Sequence, residues 1–105
     1  MGICLVYVTN ESKDKARSLV DLIVDEKLAA CANIFPIESA YWWQSIVEHD
    51  HEVVTIFKTI PALWIPLRDR ISEIHPYDVP CIMKIDVEAN ESYTKWIKDS
   101  VVPVN

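Results

Sequence analysis

Ile3 to Val8 is an unbroken apolar run, the pattern of a strand covered on both faces. Beyond it, Ala16, Leu19, Val20 and Ile23 recur at helical spacing, and Asn10 or Ser12 is placed to cap, so residues 11–27 are predicted as an amphipathic helix. Cys31 to Phe35 reads as a second strand. Pro36 is expected to kink it or mark a bulge, because proline has no N–H to give to a ladder. Ile37 to Trp43 continues extended, Gln44-Ser45 is the predicted turn, and a third strand runs from about Val47 to Thr59. Pro61 opens a second helix with Leu63, Leu67, Ile71 and Ile74 on one stripe; Pro66 must either kink it or begin its regular part. His75-Pro76-Tyr77 closes that helix. Val79 to Val87 is the fourth strand, with Cys81, Met83, Ile85 and Val87 on one face, and Asn90 is expected to cap a last helix whose inner side carries Tyr93, Trp96 and Ile97.

The order strand–helix–strand, strand–helix–strand, helix predicts an α+β, ferredoxin-like βαββαβ sandwich with an extended central hairpin, as one domain over residues 1–105. That hairpin outgrows its domain. A strand of ~13 residues spans ~43 Å, whereas a domain of this length is only ~33 Å across. The tip carries Tyr41, Trp42 and Trp43, and neighbouring strand residues face opposite sides. Both tryptophans can be buried only if both faces are covered, which points to other copies of the chain as the cover.

Composition narrows the function classes. The net charge of −6, with no basic cluster, argues against nucleic-acid binding. A single glycine, Gly2, rules out glycine-rich phosphate loops. No apolar run approaches the ~20 residues of a membrane helix, and no signal peptide opens the chain, so a cytoplasmic protein is expected. Met1-Gly2-Ile3-Cys4 opens like an acylation signal, but Val6 stands where that pattern wants Ser or Thr, and the segment is read as the start of a strand. Cys4, Cys31 and Cys81 are too few and scattered for a disulfide framework and read as reduced thiols.

Several segments together resemble the CutA family of divalent-cation tolerance proteins. They are Glu26-Lys27-Leu28-Ala29-Ala30-Cys31-Ala32-Asn33-Ile34, Trp43, Glu52, Lys58-Thr59, His75-Pro76-Tyr77-Asp78-Val79-Pro80, and Tyr93 with Trp96. The resemblance spans about residues 3–99. It implies a ferredoxin-like subunit in a homotrimer, cytoplasmic location, binding of divalent cations, copper above all, and a role in metal tolerance. It also implies an architecture similar to the PII signalling proteins. The chain departs from the family pattern at Tyr41-Trp42-Trp43-Gln44-Ser45-Ile46, where charge and a turn glycine are missing, at Cys81 in place of a common glutamate, and at Val8 in place of a cysteine found in some bacterial members.

His75, Cys31 and Cys81 are the first candidates for metal ligation, since imidazole and thiolate suit copper or zinc. No Cys-x-x-Cys pair reinforces them; the competing role is two buried thiols and a structural histidine. His49 and His51 form a second candidate: two apart on a strand, they project from one face, with Glu48, Asp50 and Glu52 on the other. An alternative function is a signalling or scaffolding trimer that binds a small molecule or partner protein in clefts between subunits, lined by Lys58, Tyr77 and Trp43. Enzymatic activity is not expected: Cys81 with His75 is the nearest approach to a nucleophile–base pair, and no third orienting residue is evident.

Overall fold

The computed structural model describes residues 2–104; the Met1 end of the acylation-like segment lies outside them. Four strands, β1 (Ile3–Asn10), β2 (Cys31–Trp43), β3 (Ile46–Thr59) and β4 (Ile82–Val87), form one antiparallel sheet in the order β2-β3-β1-β4. Helices α1 (Lys13–Asp25), α2 (Trp64–Ile74) and α3 (Glu91–Ser100) complete the chain. The ferredoxin-like expectation is met.

Strand alternation divides the sheet into two faces. Cys4, Val6 and Val8 of β1 and Phe57 of β3 point toward Leu19 and Ile23 of α1 and Leu67 and Ile71 of α2, and all of these are buried. The thiol of Cys4 belongs to this core, and burial pushes its pKa up to about 11. The opposite face is covered only in part. There Met83 and Ile85 are 49% and 46% exposed.

Helix ends follow local chemistry. Ser12, not Asn10, caps α1, its hydroxyl accepting the Lys15 N–H at 3.2 Å. Asn10 instead ends β1, with its side-chain amide donating to the Val53 carbonyl at 3.1 Å and to Thr55 Oγ1 at 3.3 Å. The helix stops two residues before its predicted end because Lys27 turns left-handed at φ 58°. Lys27 N–H then bonds the Val24 carbonyl and Leu28 N–H the Ile23 carbonyl, a Schellman close with lysine where glycine is usual.

Pro36 neither kinks nor bulges β2. The register runs unbroken from Cys31↔Lys58 through Pro36↔Val53 to Trp43↔Ile46. β2 is an edge strand of this sheet, where a proline facing away from the ladder removes no bond. The hairpin closes on Gln44 and Ser45 at φ 48° and 69°, a two-residue turn with both central residues left-handed and neither a glycine. Pro66 is the third residue of α2, after the 3-10 turn Pro61–Leu63, and so falls in the first helical turn, where its missing N–H would have had no partner.

β4 begins at Ile82, three residues later than expected, so Cys81 precedes the strand instead of lying in it. The last β1–β4 pair is Val8↔Ile82, and the next β1 carbonyl, that of Thr9, is taken by the His75 side chain. Asn90 stands at the start of α3, but its amide donates to Ser92 Oγ and caps no backbone N–H. Of the predicted inner residues, Ile97 is buried and Tyr93 half-buried, while Trp96 stays 47% exposed, stacked on Tyr93. The hairpin gives the molecule its length: its principal extents are 45 × 24 × 21 Å.

Candidate functional site

Alternation fixes what each hairpin face carries. Val53, Thr55, Phe57 and Thr59 of β3 share the helix-covered side, so Glu48, Asp50, Glu52, Val54, Ile56 and Lys58 share the other. Their partners on β2 add Tyr41, opposite Glu48, and Trp43, opposite Ile46. Three carboxylates two residues apart therefore stand in one row beneath two aromatics.

The segment after α2 walls this row and makes a cleft of about 870 Å³, with Tyr41, Trp43, Glu48, Asp50 and Glu52 on one side and Pro76, Tyr77, Asp78, Val79 and Cys81 on the other. Tyr77 Oη donates to Glu52 at 3.2 Å and Tyr41 Oη to Asp50 at 2.6 Å. Both phenols are held protonated. Tyr41 is pushed up to about 12, chiefly by its hydrogen bond to Asp50. Tyr77 is raised by burial and by the charge of Glu52. Among the described residues no ion pair involves Glu48, Asp50 or Glu52. The cleft is thus negative, and only neutral hydroxyls answer its carboxylates.

His75 builds the wall. The Tyr77 N–H donates to His75 Nδ1 at 3.2 Å, which puts the ring proton on Nε2, and Nε2 donates to the Thr9 carbonyl at 2.8 Å. The imidazole also meets the Tyr77 ring edge-on at 4.7 Å between centroids. Both nitrogens are engaged, so His75 ties the loop to the end of β1.

Cys81 lines the cleft half-buried, its thiol raised by burial and by Glu52. Cys31 lies elsewhere. It pairs with Lys58, which pairs with Leu5, four residues along β1 from Thr9, or ~13 Å at strand spacing. There Cys31 Sγ is 3.5 Å from Tyr93 Oη, and Lys58 Nζ donates to the same hydroxyl at 3.2 Å. One subunit therefore brings Cys81 and the His75 loop together and leaves Cys31 apart. Among the described residues no three His, Cys, Asp or Glu side chains converge as a ready metal cage. Of the residues expected in a cleft, Tyr77 and Trp43 line this one, and Lys58 does not. The carboxylate row of Glu48, Asp50 and Glu52 is a feature of the cleft to which none of the three candidate ligands belongs, although Cys81 faces it. Its signal was the Glu-x-Asp-x-Glu alternation from 48 to 52, which gains meaning only once the 76–81 segment is seen to face it.

Comparison with known proteins supplies context for this geometry. A family profile described as CutA1 divalent ion tolerance protein matches residues 4–100. The divalent-cation tolerance protein CutA of Pyrococcus horikoshii is 45% identical over 94 residues, which are 89% of this chain and 92% of that protein. Protein CutA 1, chloroplastic, of Oryza sativa is 41% identical over 98 residues, 91% of this chain and 55% of that protein. Among solved structures, CutA1 from Oryza sativa superposes with a TM-score of 0.94 at 38% identity, covering 99% of this chain and 97% of the other. The periplasmic divalent cation tolerance protein CutA from Archaeoglobus fulgidus superposes with a TM-score of 0.91 at 34% identity, covering 95% and 99%.

Proposed function

Since the chain belongs to the CutA1 divalent ion tolerance family, we propose that it serves metal-ion tolerance as a cytosolic homotrimer that binds divalent cations, Cu²⁺ foremost, at the boundaries between subunits. The observation that carries this reading is the cleft itself. It holds three uncompensated carboxylates and one thiol on the sheet face that also leaves Met83, Ile85, Trp43 and Ile46 uncovered. An assembly that buries those side chains also closes the cleft.

Among the described residues of one subunit no three donors converge on a point, so in this reading a second protomer completes the ligand set. Cys81 supplies the soft donor, and Glu52, on the opposite wall of the cleft, supplies oxygen. Cys31, on the same face but remote within its own chain, joins only from a neighbouring copy. His75 positions the wall. Because ligation needs the thiolate and the Cys81 thiol is raised, binding releases a proton and weakens as pH falls. The same raised thiol argues against nucleophilic catalysis, and the proposed role is binding, not turnover. The cytosolic assignment rests on three cysteines that are all unpaired; among the described residues no helix is long and apolar enough to cross a membrane.

Titration of the intact protein with Cu²⁺ tests this reading. Cys81→Ser should weaken one bound ion per chain by about tenfold or more, since even supporting groups around a metal contribute 10–100-fold. Unchanged binding by Cys81→Ser and by Glu52→Gln would remove the cleft as the site. The size and aromatic lining of the cleft favour a second reading, a signalling trimer that takes a small organic ligand there. Stabilisation by metabolites and not by metal in a thermal-shift screen would select it.

A further inference from the structure

The other face of the hairpin carries donors that the cleft does not use. His49 and His51 lie on the side shared with Val53 and Thr55, opposite in direction to Glu48, Asp50 and Glu52. Glu38 is the direct cross-strand partner of His51, and Ala40 is that of His49. We propose that His49, His51 and Glu38 form a second cation site in each chain, taking a borderline divalent ion such as Cu²⁺ or Zn²⁺.

The geometry comes from the ladder. Residues two apart on a strand stand ~6.8 Å from each other on one face. Direct partners have Cβ atoms ~5 Å apart, and diagonal ones, here Glu38 and His49, remain within reach of long side chains at ~7–8 Å. The opposing Ala40 leaves room beside the His49 ring, and a hollow of about 270 Å³ is bounded by Glu38, Ala40, His49 and His51. All three donors are exposed, and none enters a side-chain hydrogen bond or ion pair among the described residues. In this they differ from His75, whose two nitrogens are taken. The side chains do not converge as they stand. Convergence asks only for rotation of exposed side chains on a scaffold of thirteen consecutive cross-strand pairs, from Cys31↔Lys58 to Trp43↔Ile46.

The donor chemistry selects the ion. Two imidazoles and a carboxylate suit copper, zinc or nickel, not Mg²⁺ or Ca²⁺, which prefer all-oxygen sites. The net charge of −6 raises the local cation concentration around an exposed site. This site lies on the face turned away from the cleft, and it needs no residue of the cleft.

The test uses the full chain, with Cu²⁺ as the probe in equilibrium dialysis and electron paramagnetic resonance at substoichiometric copper. The parent should show coupling from two imidazole nitrogens. His49→Gln or His51→Gln should reduce that to one and weaken one ion per chain by about tenfold or more. Glu38→Gln should weaken it less, and Cys81→Ser should leave it unchanged. Far-UV circular dichroism should be the same for all, because the substituted positions are exposed. Failure of the cleft reading alone would appear as a Cys81→Ser variant that binds copper identically to the parent while the histidine variants still lose an ion. If the double variant His49→Gln/His51→Gln keeps the same copper count and the same nitrogen coupling, the site does not exist.

Discussion

The face of the sheet opposite α1 and α2 gives a quantitative handle on assembly. Met83 and Ile85 sit on β4 with 49% and 46% of their surface exposed. Full burial of such a side chain contributes about 1.5–3 kcal/mol, so the half still open is worth roughly 1 kcal/mol each when a neighbour covers it. Two side chains on each of three protomers come to roughly 6 kcal/mol, about four decades in the association constant of a trimer. On the proposed trimer, the double variant Met83→Ala/Ile85→Ala should therefore dissociate at concentrations where the parent stays assembled. Its monomer fold should hold, because neither residue belongs to the buried core. Sedimentation velocity across a thousandfold range of concentration measures this directly. Identical sedimentation of parent and variant over that range would show that this face is not the interface, and a parent that is a well-folded monomer at micromolar concentration would remove the trimer altogether.

Two further expectations come from local structure. Glu26 accepts hydrogen bonds from Arg70 Nε at 2.9 Å and Nη2 at 2.8 Å, and those bonds hold its carboxyl below the usual range. A carboxyl lowered on folding stabilises fully above its unfolded value of about 4.3 and loses that contribution as pH falls through the folded value. Urea midpoints should thus drop more steeply for the parent than for Glu26→Gln between about pH 5 and pH 3, and parallel curves would show that the pair contributes nothing. Lys27, left-handed at φ 58°, should accept glycine with a gain. Relief of the ~1–2 kcal/mol left-handed cost, set against the ~0.5–1 kcal/mol that glycine's freedom costs, leaves about 0.5–1 kcal/mol of added stability by denaturant melts. A destabilised Lys27→Gly would mean that the lysine side chain contributes more than its exposure indicates.

Period and composition alone determined much of this protein. Alternation and helical spacing are local properties of the chain, so four strands, three helices, the Gln44-Ser45 turn and the excess length of the hairpin could all be read from residue order. The two faces of residues 48–52 could be read as well, because side-chain direction on a strand needs no partner. Boundaries were less legible where a distant group competes for the backbone. β4 starts late because His75 takes the Thr9 carbonyl, and Asn10 ends a strand instead of capping a helix because Val53 and Thr55 lie within its reach. Pro36 brings neither the expected kink nor a bulge, because its effect depends on whether the strand has one neighbour or two, which only sheet order decides.

Site membership was the least legible. His75, Cys31 and Cys81 have ligand chemistry in any sequence. The fold alone reveals that the first has both nitrogens bonded, that the second lies ~13 Å away along the ladder, and that the third faces a row of carboxylates. Residue type sets what a side chain can do, whereas its partners are fixed by contacts between segments far apart in the chain, and those exist only once the sheet has closed.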